Sequence, residues 1–194
     1  GVFGILSRII FYLLSPNENP YILNGMKSAN NPLIINQSYA NDNAIPIFRS
    51  KDQYDGIEFT YCFWMFIESS NLKKLQDDNK YAHVFHKGSL GNTNSNYNME
   101  GIYNVNNSPG VYLYQGIDDA ITDTLTDGTT LDSNYKIISM LIRLNIYRNS
   151  NSIENPDKYF EDIKIQGIPI KKWIHIVIRS TSQNIIDVYI NGKV

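Results

Sequence analysis

The chain has 194 residues, 42% of them apolar and 12% aromatic, with 17 basic and 19 acidic side chains and a formal net charge of −2. That length supports one sizeable core in a single main domain. The basic residues are scattered rather than gathered into a stripe, so the electrostatic footprint that phosphate-backbone binding needs is missing and nucleic acid is excluded as a partner.

Asn, Ile and Tyr are common and Ala is scarce, a bias toward strands and turns over helix. The single cysteine, Cys62, excludes an intrachain disulfide and a cysteine-based metal site, and fits folding in a reducing compartment. It lies within an apolar strand and reads as a buried structural thiol. Asn-x-Ser sequons stand at Asn36 and Asn106, as chance provides in a chain so rich in Asn and Ser.

Residues 1–14 are almost wholly apolar, with Ser7 and Arg8 the clear exceptions, and Pro16 closes the segment. A complete membrane-spanning helix needs roughly 20 residues, so the segment is too short to be one by itself. Val2, Leu6, Ile9 and Leu13 share one helical face, opposite Gly4, Ser7 and Arg8, a weakly amphipathic pattern. Three readings stay open: the end of a membrane anchor, a helix docked on a partner or bilayer, and a helix packed on its own domain. Residues 16–53 then form an extended strap of Asn, Pro and Ser, with one or two short strands expected at 32–35 and 45–48.

From residue 54 the sequence alternates. Residues 58–68 are apolar on both faces and predict a central strand covered on both sides. Further strands are predicted at 81–86, 111–114, 135–147, 163–165, 172–179 and 185–190. In the long segment 135–147, Ile138, Met140, Ile142, Leu144 and Ile146 fall on one face and Ser139, Arg143 and Asn145 on the other, the pattern of a strand with one wet face. Ile174, Ile176 and Ile178 predict an inward row, as do Ile186, Val188 and Ile190. Asn191-Gly192 is a strong signal for a two-residue hairpin and calls for a returning strand beyond Val194; with Gly1 in place of Met, the expectation is a fragment of a longer protein. The predicted fold class is all-β, an antiparallel two-sheet β-sandwich preceded by a short hydrophobic helix.

Several segments occur here in one order: Phe59 to Met65, His86-Lys87-Gly88-Ser89, Pro109 to Leu113, Trp173 to Val177, and Asp187 to Lys193. Together they resemble the concanavalin A-like lectin/glucanase superfamily in its laminin-G-like, pentraxin-related branch, over roughly residues 54–194. The resemblance implies a jelly roll, C-terminally incomplete here. It implies a core built on Trp64, Trp173, His175 and Tyr189 and closed by the Asn191-Gly192 turn. Large indoles would plug the space between curved sheets. Glucanases of this superfamily carry paired carboxylates along one strand. Glu58 and Glu68 instead end their strand, and Glu161 and Asp162 face opposite sides, so the expected activity is none.

Asp118, Asp119, Asp123, Asp127 and Asp132 lie in one loop and offer oxygen ligands to calcium, a cation many relatives bind at a sandwich rim, but without the fixed spacing of a calcium loop. No other cofactor is expected. His83 and His86, three apart in a strand, face opposite sides and make no zinc pair. No Cys/His nucleophile pair, phosphate loop or nucleophile elbow is apparent. Tyr97, Tyr103, Tyr112 and Tyr114, with Asn104 and Asn106, combine rings that stack on sugars with amides that bond hydroxyls. Two functions follow. The first is a non-catalytic structural module, membrane-tethered or shell-associated and acting through neighbouring protein subunits. That combination is similar to laminin-G-like virion proteins of large AT-rich DNA viruses, in a minor capsid role. The second is a lectin-like module for glycans, calcium-assisted or not.

Overall fold

The computed structural model describes residues 2–15, 17–48, 58–68, 80–88, 101–103, 107–117, 136–145, 160–181 and 185–194. Helix α1 spans Val2–Leu14. Ser15 ends it by returning its hydroxyl to the Phe11 carbonyl at 2.6 Å, ahead of Pro16, which cannot continue the ladder. No residue of α1 is buried. None of the described helices is long and apolar enough to cross a membrane.

Residues 17–48 contain neither helix nor strand, which corrects the short strands expected there. Their backbone groups bond locally instead. Asn41 N–H donates to Ser38 O at 3.0 Å and Ile45 N–H to Asn36 O at 2.8 Å, with Asn43 at a φ of 64°. A turn that satisfies its own amides leaves none for a ladder.

Among the described residues seven strands follow: β1 (Phe59–Phe66), β2 (Tyr81–His86), β3 (Gly110–Ile117), β4 (Lys136–Asn145), β5 (Phe160–Ile165), β6 (Trp173–Ser180) and β7 (Ile186–Ile190). They form two antiparallel sheets, one ordered β1-β6-β7 and the other β2-β3-β4-β5, an arrangement that fits a β-sandwich. The chain divides into two compact units, residues 1–60 with 178–187 and residues 61–177 with 188–194.

Within the second unit the register assigns the faces. Val111 pairs with Ile142, Leu113 with Met140, and Met140 and Ile142 pair in turn with Ile165 and Ile163. Cross-strand partners share a face, so these side chains make one continuous apolar surface. Phe85 joins it opposite Val111 and meets the β1 rings of Phe63 and Tyr61 at centroid distances of 5.2 and 5.7 Å. Val111, Met140 and Ile142 are fully buried, as are Ile174 and Ile176 on β6. Burial leaves Tyr61 its hydroxyl but raises its pKa to about 12, since a phenolate would be poorly solvated there.

The other face of β3 and β4 is not wet, contrary to the alternation of 135–147. Ser139 is fully buried and Arg143 is 7% exposed. Two sets of contacts fill this face. Ile102 packs with Tyr112 and Leu141. On β5, Asp162 takes two hydrogen bonds from Arg143 at 2.7 and 2.6 Å while the Phe160 ring lies 3.6 Å under the guanidinium carbon. A bidentate carboxylate and an aromatic face let an arginine sit inside without an unpaired charge.

The alternation of β1 and β6 resolves in the opposite sense from that expected for the tryptophans. In β1, Tyr61, Phe63 and Met65 are half-buried while Cys62, Trp64 and Phe66 are exposed. In β6, Ile174 and Ile176 are inward and Trp173 is exposed. β1 is therefore covered on one side only. The closing turn forms as its sequence demands: Asn191 and Gly192 take φ values of 51° and 79°, and Ile190 bridges Lys193.

Candidate functional site

Two surfaces of the second unit gather chemistry-bearing side chains. The first lies on the covered face of the four-stranded sheet. Between His83 and Phe85 the β2–β3 register slips by one residue. His83 pairs with Tyr112 and His86 with Gly110; those partners are two apart on β3, so both histidines fall on one face. Simple alternation would have separated them, and the expectation that they face opposite sides is corrected by this bulge. His83 Nε2 and His86 Nδ1 stand 2.8 Å apart. Tyr103 stacks on His86 at 4.6 Å and meets His83 edge-on at 4.7 Å. His83 keeps a solvent-open edge, yet the loss of water around the rest of its ring, and then the charge of His86, pull its pKa down from 6.5 to about 4.

Beneath this cluster Asn107 acts as a hook. Its Nδ2 donates to Tyr103 O at 2.7 Å and its Oδ1 accepts from the Tyr112 hydroxyl at 2.6 Å. Its backbone exchanges two bonds with Asn145, one to the side chain at 2.6 Å and one from the Asn145 N–H at 2.7 Å. Glycine is required on both sides of the hook. A Cβ at Gly110 would collide with the Asn107 side chain, and at Gly101, φ 100°, with the Tyr81 carbonyl. Tyr112, fully buried and pushed up to about 12 by that burial, is thus a structural tyrosine, which corrects its assignment to a ligand surface. Tyr103 and Tyr114 remain half-buried, Tyr114 beside Tyr81 at 5.2 Å. Tyr97, Asn104 and Asn106, and the calcium candidates Asp118, Asp119, Asp123, Asp127 and Asp132, lie outside the described residues. Among the described residues no group of three or more His, Cys, Asp or Glu stands together.

The second surface is the open face of β1 and β6. Trp64 is 63% exposed, Trp173 49% and Phe66 41%. Trp64 packs on the His175 ring at 4.9 Å and Phe66 on Trp173 at 5.6 Å. Both indoles and His175 thus leave the core that the resemblance assigned to them. Trp64 shares its face with exposed Cys62, whereas the core-facing places on β1 are held by Tyr61, Phe63 and Met65. Tyr189 is half-buried, and Asn191 and Gly192 are exposed. Asn191 fastens the face, its Oδ1 accepting from the His175 N–H at 2.9 Å and its N–H donating to His175 O at 2.8 Å.

Cys62 is exposed, not buried, and its Sγ lies 2.9 Å from His175 Nε2. The thiol–imidazole contact was missed because the two residues are far apart in the sequence and only the β1–β6 pairing joins them. Among the described residues no side chain bonds the far nitrogen of His175, since Asn191 engages the backbone instead. Among the described residues the contact therefore has no orienting third group of the kind a nucleophile triad uses.

A third feature is a half-open cleft of about 340 Å³ lined by Gln115, Ile137, Ile138, Gly167, Ile168, Pro169 and Ile170. Compared with protein families, with characterised proteins and with solved structures, the chain matches none.

Proposed function

We propose that this chain is a non-catalytic β-sandwich module that works in an assembly, burying the open aromatic face of β1 and β6 against a neighbouring protein subunit. One observation carries the reading: Trp64, Phe66 and Trp173 form an exposed row on a hydrogen-bonded sheet, two of them indoles about half or more open to water. Aromatic side chains of this kind present on the order of 150–250 Å² each when fully open, and exposed patches of a few hundred Å² mark interaction surfaces. Tryptophan is among the residue types enriched at interface hot spots. The solvent-open apolar side chains of α1 add a second surface suited to a shell protein or a membrane. The jelly-roll topology and a virion setting belong to this proposal.

The test is sedimentation of the full chain over a concentration series, with a W64S/W173S variant beside it. The reading expects reversible association that the variant weakens by a hundredfold or more, with unchanged folding by circular dichroism. A parent chain that stays monomeric at hundreds of micromolar, and a variant that enters the native assembly as well as the parent does, would overturn it.

A second reading, glycan binding, is favoured by one specific observation: Tyr103 and Tyr114 share a sheet face with His83 and His86. A glycan array probed with and without chelator tests it, and a uniformly blank array removes it.

A further inference from the structure

Imidazoles that meet nitrogen to nitrogen are also paired metal donors. His83 Nε2 and His86 Nδ1 are 2.8 Å apart, on one sheet face, because the bulge before Phe85 turns them to the same side. In a tetrahedral zinc site with metal–nitrogen bonds of about 2.0–2.1 Å, neighbouring ligand nitrogens stand about 3.3 Å apart. An opening of roughly half an ångström, with each ring tilting so that its lone pair turns from the N···N line toward a shared point, would bring both lone pairs onto one ion. Aromatic neighbours pack both rings on this face. Tyr103 stacks on one and abuts the other, Tyr112 flanks His83 at 5.6 Å, and Asn107 ties the Tyr103 carbonyl from below.

The proton balance is also simple. In the uncharged pair one N–H lies between the two nitrogens, and each ring carries one proton. Moving that proton to the far nitrogen of its own ring frees both facing lone pairs, so an ion enters with no net proton released or taken up.

We propose that His83 and His86 form a binding site for a divalent cation of the borderline class, Zn²⁺ or Cu²⁺, through His83 Nε2 and His86 Nδ1. With two protein ligands the site keeps open positions for water or for a carboxylate or imidazole from elsewhere. Its affinity is accordingly on the order of micromolar, far below that of a closed four-ligand zinc site. The site lies on a different sheet from the aromatic face and does not depend on it.

Zinc chloride and, separately, copper chloride are titrated into the full chain at pH 7.5, followed by calorimetry and by NMR of the imidazole nitrogens. The expected result is one equivalent bound, with the His83 and His86 resonances shifted and those of His175 unmoved. H83Q and H86Q each weaken binding at least tenfold, while H175Q and C62S leave it unchanged. Absence of binding below millimolar metal, full retention in H83Q, or loss in H175Q would overturn the proposal, the last by placing the ion at Cys62 and His175. Should H83Q or H86Q fail to fold, the resonance shifts of the unsubstituted chain decide.

Discussion

Replacing Tyr112 by Phe removes one oxygen atom and leaves the ring in place, and it probes whether the second face of β3 and β4 is truly sealed. In the folded chain that hydroxyl donates to Asn107 Oδ1 at 2.6 Å and accepts from the Tyr103 N–H at 3.3 Å. Asn107 is 1% exposed and Tyr112 fully buried, so water does not replace the lost partner. Leaving a buried polar group unsatisfied costs about 1–3 kcal/mol, and the longer bond to Tyr103 weighs less than the short one to Asn107. The expected loss for Y112F is about 2–3 kcal/mol, a large share of the roughly 5–15 kcal/mol that holds a domain together. With a urea m-value of about 2 kcal/mol/M, the midpoint falls by about 1–1.5 M at unchanged m. Urea unfolding at pH 7, followed by fluorescence and circular dichroism, reads this directly. A midpoint within about 0.2 M of the parent would mean that solvent reaches Asn107 and that this face is not closed.

The remaining predictions concern charge, pH and access. Asp162→Asn strips the carboxylate from nearly buried Arg143 and is expected to cost about 3 kcal/mol, seen as a lower thermal midpoint; a neutral result would show the pair to be solvated. His83 has a folded-state pKa depressed to about 4 against an unfolded value of 6.5, so its contribution is present above 6.5 and is lost as pH falls through that window. The full shift corresponds to about 3 kcal/mol, which the solvent-open edge of the ring screens to about 1–2 kcal/mol; H83Q should flatten the stability profile between pH 6.5 and 4. Cys62 should be alkylated by iodoacetamide in the folded chain without denaturant, at a rate that does not jump on adding urea, because its side chain is exposed on β1.

The strands were legible in the alternation of the chain. The rows at Ile174, Ile176 and Ile178 and at Ile138, Met140 and Ile142 carry an unambiguous period of two, and the structure puts those rows inside. What alternation could not decide was which side of β1 faces inward, since Phe59, Tyr61, Phe63 and Met65 on one side and Cys62, Trp64 and Phe66 on the other are both apolar. Side-chain size pointed to the tryptophans, and size is a poor guide where a sheet leaves one apolar face exposed. The histidine pair was hidden by a single inserted residue. A bulge without a glycine leaves no mark in the sequence, yet it inverts the facing of everything beyond it. The sealing of Tyr112 and Arg143 was invisible for another reason. It depends on Asn107 and Asp162, residues remote in sequence whose types alone suggest loop and surface. Gly101 and Gly110 were the available signals, as positions where a side chain has no room.

The central claim, that β1 and β6 present an aromatic face for a protein neighbour, is tested most directly by acrylamide quenching of the two indoles in dilute and in assembled chain. Both tryptophans should be quenched readily in the dilute form and become shielded together on assembly, in step with the sedimenting mass. Indoles already shielded in the dilute monomer, or equally open in both states, would contradict the account.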